Sequence, residues 1–145
     1  MPRDIETTHR IMSAIKSTAT EPEQLLGQAM WKIGLRYRRH YRIIGKPDFV
    51  FVRVKIAVFC DGDFWHGNNW QIRGLGSLEA ELAGYSEFWA KKIKRNIERD
   101  NIVTNKLEED GWLVLRFWES DIRKSPIECA NFVMKHFESL VNGSI

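Results

Sequence analysis

A small α/β domain, with helices packed on a central sheet, is the fold this sequence predicts, and three observations carry the prediction. The first is DFVFV (48–52) followed almost at once by KIAVFC (55–60), two apolar, β-branched and aromatic runs separated by Arg53-Val54. Runs joined that tightly read as a hairpin of buried strands. The second is WLVLRF (112–117), short and nearly all apolar between turn signals, which reads as a central strand covered on both faces. The third is helical spacing on either side. Leu25, Leu26, Ala29, Met30 and Ile33 precede the hairpin, and Ala130, Val133, Met134 and Phe137 follow the last strand.

In chain order, residues 1–19 read as a polar arm with a short helical piece around Arg10–Lys16, and residues 20–145 as one domain. Thr20-Glu21-Pro22-Glu23 is a capping box that starts a helix, and Gly34 closes it. Arg36–Arg42 reads as a first strand before the hairpin. HGNNWQIRGLGS (66–77) has glycines at 67, 74 and 76 and reads as an irregular loop. A long helix is expected from Tyr85 to Asp110, stopped by Gly111, and Pro126 opens the last helix. The resulting order is helix, three strands, helix, strand, helix.

Composition narrows the class. The chain has 145 residues, 43% hydrophobic and 28% charged, which excludes a disordered or membrane-embedded protein and fits one globular core. Net charge is only +3, from 22 Lys and Arg against 19 Asp and Glu, so local distribution says more than the total. Arg36, Arg38, Arg39, Arg42 and Lys46 run with His40 and no acid. Lys91, Lys92, Lys94, Arg95 and Arg99 run against Glu98 alone. Basic runs beside aromatics suit a surface that tracks phosphates, although such a run is also how a solvated face looks. Six tryptophans exceed what a core this small needs, so some are expected to face a ligand. Cys60 and Cys129 form no CxxC pair and read as reduced core thiols. With no apolar leader in MPRDIETTHR and no stretch of transmembrane length, the expectation is a soluble cytoplasmic protein.

The chemistry gathers at the rims of the hairpin. Asp48 follows Lys46-Pro47 at the start of one strand, and Asp61 ends the other. A tight hairpin sets the start of its first strand opposite the end of its second, so these carboxylates become neighbours. Two carboxylates held together repel unless a proton or cation lies between them, and oxygen ligands of this kind suit Mg²⁺. His66 lies just beyond, with a ring that titrates near neutrality and can take or give a proton. Glu23 has a capping role on spacing alone, and Asp100 in IERD reads equally as a solvated helix charge. Pro47-Asp48 also matches the opening of a common nuclease motif, but Asp61-Gly62-Asp63 lacks the lysine that motif carries.

Taken jointly, MSAIKSTATEPE, GLRYRRH, GKPDFVF, DGDFWHG, FWAKKIKRNIERD and GWLVLRFWESDI resemble the very short patch repair (Vsr) endonucleases and related homing endonucleases. The resemblance spans about three quarters of the chain, Met12 to Ile122, in the family's order. It implies a restriction-endonuclease-like αβββαβ core with a mixed sheet. It implies Asp48 as the principal Mg²⁺ ligand, joined by Asp61 and the Cys60 backbone carbonyl, with one or two ions bound. His66 is implied as general base, Asp100 as the carboxylate that orients it, and Glu23 as a water- or metal-positioning acid. Phe64, Trp65 and Trp89 match aromatics that wedge into the base stack. Lys46, Arg36, Arg38, Arg39, Lys92 and Arg95 are expected to contact DNA, as is the 1–19 arm.

One departure stands out. Where the repair enzymes hold a structural zinc, this chain has Asp63, Asn68, Trp70 and Ser120, so no zinc is expected. Packing of Trp70 into the core is the expected substitute. The implied activity is Mg²⁺-dependent hydrolysis of a phosphodiester in double-stranded DNA by a monomer, within mismatch repair. A homing-type or phage-borne enzyme without mismatch specificity is one alternative, and a non-catalytic DNA-binding module is another.

Overall fold

The computed structural model describes residues 20–143, so the 1–19 arm lies outside the described residues. Helix α1 (Glu21–Lys32) begins at Thr20, whose hydroxyl accepts from the Glu23 amide at 3.4 Å. That bond supplies an acceptor for one of the orphan amides of the first turn. The reciprocal half of a capping box is absent, because the Glu23 carboxylate goes to Arg39 instead. Leu26 and Met30, four apart on one face of α1, are fully buried.

The expected strand at Arg36–Arg42 shrinks to a single antiparallel bridge between Arg38 and Val50. His40 adopts φ +57°, a left-handed turn that no strand can pass through. The hairpin forms as expected. Strand β1 (Phe49–Phe51) pairs antiparallel with β2 (Ile56–Asp61), Phe49 opposite Val58, around a turn closed by Lys55 N–H to the Val52 carbonyl at 3.3 Å. A short helix, α2 (Asn69–Ile72), interrupts the stretch that reads as an irregular loop, and a second, α3 (Leu78–Ala83), follows it. Helix α4 (Glu87–Glu109) follows, capped by Ser86 and ended before Gly111 at φ +90°.

Strand β3 (Leu113–Trp118) returns parallel to β2, with Ile56 opposite Leu113 and Asp61 opposite Trp118. Sheet order is β1-β2-β3, so β2 and not β3 is central among the described residues. Only Leu115 of β3 is buried, whereas every residue of β2 except Cys60 is. Burial of side chains such as Ile56 and Val58 stabilises the fold by about 1.5–3 kcal/mol each. Helices α5 (Glu119–Lys124) and α6 (Pro126–Asn142) complete the chain.

Two apolar clusters lie on opposite faces of the sheet. Phe49, Phe51, Ile56, Val58 and Leu115 pack with Leu26 and Met30 of α1, Ile122 of α5, and Ala130 and Val133 of α6. Val50, Ala57 and Phe59 pack with Val103 and Leu107 of α4. The alternation of sides along β1 and β2 thus clamps the strands between helices and leaves their Asp-bearing ends at the rim.

Candidate active site

Five elements deliver side chains to one cleft of about 440 Å³. Glu23 comes from the first turn of α1, Asp48 from the residue before β1, Asp61 from the end of β2, His66 from the following loop, and Asp100 from the middle of α4. All five sequence-derived candidates for catalysis therefore line the same cavity. Asp48 is tied to the hairpin twice: its amide donates to the Val58 carbonyl at 2.9 Å, and its Oδ2 accepts from the Cys60 amide at 2.7 Å. Lys46, which leads into it, holds a left-handed φ of +47° and lines the cleft as well.

His66 is bracketed by acids. Its Nδ1 hydrogen-bonds Asp100 Oδ2, and its Nε2 faces Asp61 Oδ1 at 3.9 Å. With a carboxylate on Nδ1, the neutral ring carries its proton there and keeps the Nε2 lone pair toward the cleft. Gly67 follows at φ +74°, and a Cβ there would stand 2.9 Å from Ile97 Cδ1, so the loop needs glycine to turn His66 inward. Asn96 of α4 donates to the Trp65 carbonyl at 3.1 Å and fixes the same loop.

The electrostatics are those of crowded carboxylates. Burial pushes Asp48 up from its ordinary 3.8 to about 7; Cys60 N–H and Arg39 oppose the shift, and Glu23 and Asp61 add to it. Asp61 is also raised, by burial first, against the pull of His66 and Arg116. Glu119, at the start of α5, lines the cleft and is raised for the same reason. Burial likewise raises the Cys60 thiol, with Asp48 beside it, so that side chain stays a neutral thiol.

Arg116 and Glu119 are site residues that the sequence reading did not single out. Arg116 interrupts the apolar run WLVLRF, and a lone charge inside a strand needs a partner; that was the available signal. Its Nη1 lies 3.0 Å from Asp61 Oδ1. Glu119 left no comparable trace, because its place depends on how α5 turns off β3.

The residues expected to contact DNA divide. Trp65, Lys92 and Arg95 line a second cleft of about 500 Å³ with Phe88, Lys91, Asn96 and Arg99, and Lys92 sits 5.1 Å from the Trp65 ring centre. Phe64, Trp65 and Trp89 form one aromatic cluster with ring centres 5.5–5.6 Å apart. Trp89 is the buried member, and Phe64 and Trp65 are half-buried on it. Arg39 is committed elsewhere: it pairs with Glu23 at 2.8 Å and lies over Phe49. Arg36 turns back onto Trp31, 3.8 Å above its ring, and Arg38 pairs through its backbone with Val50.

Trp70 does not pack into the core as expected. It stays half-buried, and hydrogen bonds hold the loop instead. Asp63 accepts from Asn68 Nδ2 at 2.8 Å, from Ser120 Oγ at 2.8 Å and from Ser120 N–H at 3.1 Å. Buried Glu81 accepts from the Trp70 amide at 2.5 Å and from the Tyr85 hydroxyl at 3.0 Å. The side chains of Asp63, Asn68 and Ser120 thus interlock through hydrogen bonds.

Comparison with known proteins adds an independent line. A family model described as "DNA mismatch endonuclease Vsr" matches residues 3–72. A type II nicking enzyme of Neisseria meningitidis serogroup C, V.NmeDIP, is 49% identical over 129 residues, covering 88% of this chain and 84% of its own. Another, V.HpaIIP of Haemophilus parainfluenzae, is 44% identical over 112 residues, covering 77% and 76%. The DNA mismatch endonuclease Vsr of Escherichia coli (strain K12) is 32% identical over 121 residues, covering 83% and 74%. Similarity at this level over most of each chain, on a helix-flanked mixed sheet with an acid-and-histidine cleft at its rim, establishes that this chain belongs to the Vsr family.

Proposed function

We propose that this family member is a Mg²⁺-dependent DNA endonuclease that cuts one strand of double-stranded DNA, with the chemistry in the Asp48–Asp61–His66–Asp100 cleft. The observation that carries it is the His66 bracket. A ring whose Nδ1 is held by Asp100 and whose Nε2 faces a cleft of carboxylates is oriented to take a proton from water there. Asp100 keeps the ring in that tautomer and balances the charge it gains. Single-strand cutting is the activity named for the 49% and 44% relatives, and mismatch cleavage the one named for the 32% relative.

The donor set fits magnesium. Six carboxylates (Glu23, Asp48, Asp61, Asp63, Asp100, Glu119) line the cavity against Lys46, Arg99 and Arg116, so a phosphate entering it meets a net negative wall unless a cation is present. Asp48 and Asp61, with the Cys60 carbonyl, would hold that ion; these are hard oxygen donors, and among the described residues that line the cleft the one sulfur is a neutral thiol. When bound, Mg²⁺ acts as a Lewis acid toward the phosphate oxygens. Arg39 holds Glu23 at the cleft wall, close enough for its charge to act on Asp48. The Trp65–Arg99 edge of the basic cleft adjoins this one and tracks the DNA backbone on its way in.

Asp48→Asn tests the site. Nicking of supercoiled plasmid, and of matched and T:G duplexes, should fall by about three orders of magnitude or more in Mg²⁺, while DNA binding persists. EDTA should abolish wild-type cutting. Near-normal turnover by the variant would show that the metal and the chemistry lie elsewhere.

A further inference from the structure

Arg116 stands in an otherwise apolar strand and lines the cleft that holds the proposed catalytic groups. It lies on β3 opposite Phe59 of β2, and its guanidinium sits over the Phe59 ring at 4.1 Å. From there every nitrogen is engaged. Nη1 reaches both oxygens of Asp61, at 3.0 and 3.3 Å; Nη2 donates to the backbone carbonyl of Asp100 at 3.3 Å; Nε donates to Thr104 Oγ1 at 3.0 Å. One planar group therefore ties the end of β2 to two successive turns of α4. Those are the elements that carry the two acids on either side of His66.

The geometry matters because the two acids come from different elements, joined at this end of the sheet through the Arg116 fork. Asp61 ends a strand and Asp100 stands in mid-helix, and small sliding of α4 over the sheet would change the gap in which His66 sits. A fork of fixed shape resists that sliding, as the flexible, single-point ammonium of a lysine would not. The same group places a permanent positive charge beside Asp61 in a cleft otherwise rich in carboxylates. We propose that Arg116 is a positioning residue: it locks Asp61 to the Asp100 turn of α4 and so holds His66 between two fixed carboxylates before DNA arrives. The proposal rests on the active-site reading given above.

The test compares R116M, R116K, D61N and the D61N/R116M pair with wild type and with Asp48→Asn. R116M should lower kcat for nicking by about 100-fold, the scale of a misplaced catalytic group, while KM for DNA moves within about threefold. R116K keeps the charge but not the fork and should recover only part of the loss. The double variant should be no slower than the worse single one, since the two residues act as a unit. A second readout needs neither metal nor DNA: NMR of histidine-labelled protein in EDTA should show His66 as one Nδ1–H tautomer in wild type and as a mixture in R116M. Should R116M fail to fold, R116K and the double variant carry the same comparison. Wild-type kcat in R116M or full recovery in R116K would overturn the proposal. Losses that multiply in the double variant, or an unchanged tautomer, would overturn it too. Normal nicking by Asp48→Asn would instead bring down the active-site reading itself, whereas an inactive Asp48→Asn beside a fully active R116M would remove only Arg116.

Discussion

Two clefts meet at Trp65 and Arg99, and their walls carry opposite charge. The one at the sheet rim holds six carboxylates, all of them partly or fully buried; the one along α4 presents Lys91, Arg95 and Arg99 to solvent, with half-buried Lys92, beside Trp65 and Phe88. A net charge of +3 conceals this division. Separating the signs separates the tasks. On the function proposed above, a polyanion gains its affinity on the basic wall, where counterion release is favourable, and reaches the acidic cleft only where a cation offsets the repulsion. The acids need rigid strands to hold them against one another, and the bases need only one face of a helix. That difference explains why the six acids stand on six separate segments and the four bases on one helix.

The largest effect expected from breaking the contrast comes from the basic side. Replacing Lys92 and Arg95 together by Ala should weaken DNA binding strongly and shrink the slope of log affinity against log salt by about 1.8, for two lost phosphate contacts. kcat at saturating DNA should stay unchanged. A binding titration across a salt series reads both quantities, and an unaltered slope would mean that DNA does not lie along this face of α4.

Next in size is the hydrogen-bonded loop between the clefts. Asp63→Ala leaves three donors on Asn68 and Ser120 without their acceptor and should cost roughly 3 kcal/mol of stability. A chelator, by contrast, should leave the metal-free melting temperature of the wild type where it was. Stoichiometric zinc on elemental analysis, or a melting temperature that drops in chelator, would contradict a loop held by hydrogen bonds alone.

Trp65 borders both clefts, and its truncation sharpens the comparison. Trp65→Ala should weaken DNA binding by about 1–3 kcal/mol through lost base stacking. Because Trp65 is half-buried on Phe64 and Trp89, its cost in unfolding should fall below the roughly 3–5 kcal/mol of a core aromatic. A full core penalty with DNA affinity intact would make it part of the fold and not of the interface.

A further expected effect is electrostatic and appears only without metal. Burial pushes Asp48 up to about 7 in the folded chain, from its ordinary 3.8. A carboxyl raised on folding contributes stability that is complete below its unfolded pKa and is lost as pH rises through the folded one. In EDTA, wild type should therefore lose melting temperature relative to Asp48→Asn as pH rises from about 4 toward 8, since the amide never ionises. Added Mg²⁺ should restore wild type and leave the variant unmoved. Parallel curves for the two proteins would mean that Asp48 is not strained by its surroundings.

Much of this was legible residue by residue. The hairpin was plain from DFVFV and KIAVFC, and pairing its ends brought Asp48 and Asp61 to one cleft, as the spacing required. Arg36–Arg42 failed as a strand because a left-handed His40 cannot be inferred from propensity. β3 was read as central from its apolar text, yet only the pairing order puts β2 in the middle. Arg39 was read as a DNA contact from its basic neighbours, but the fold turns it onto Glu23.

By itself, the sequence determined what is local or periodic: the α/β class, the helix starts at Thr20 and Pro126, the hairpin, and the residue types that meet in an acid-and-histidine cleft. Tertiary structure alone decided which charges face one another. Arg116 meets Asp61 across 55 positions of sequence, and Ser120 meets Asp63 across 57. Such partners depend on strand order and on where α4 crosses the sheet, and no short-range pattern encodes them. Hydrogen bonds act over about 3 Å, so the pairings exist only once the packing of the apolar faces has set the distances.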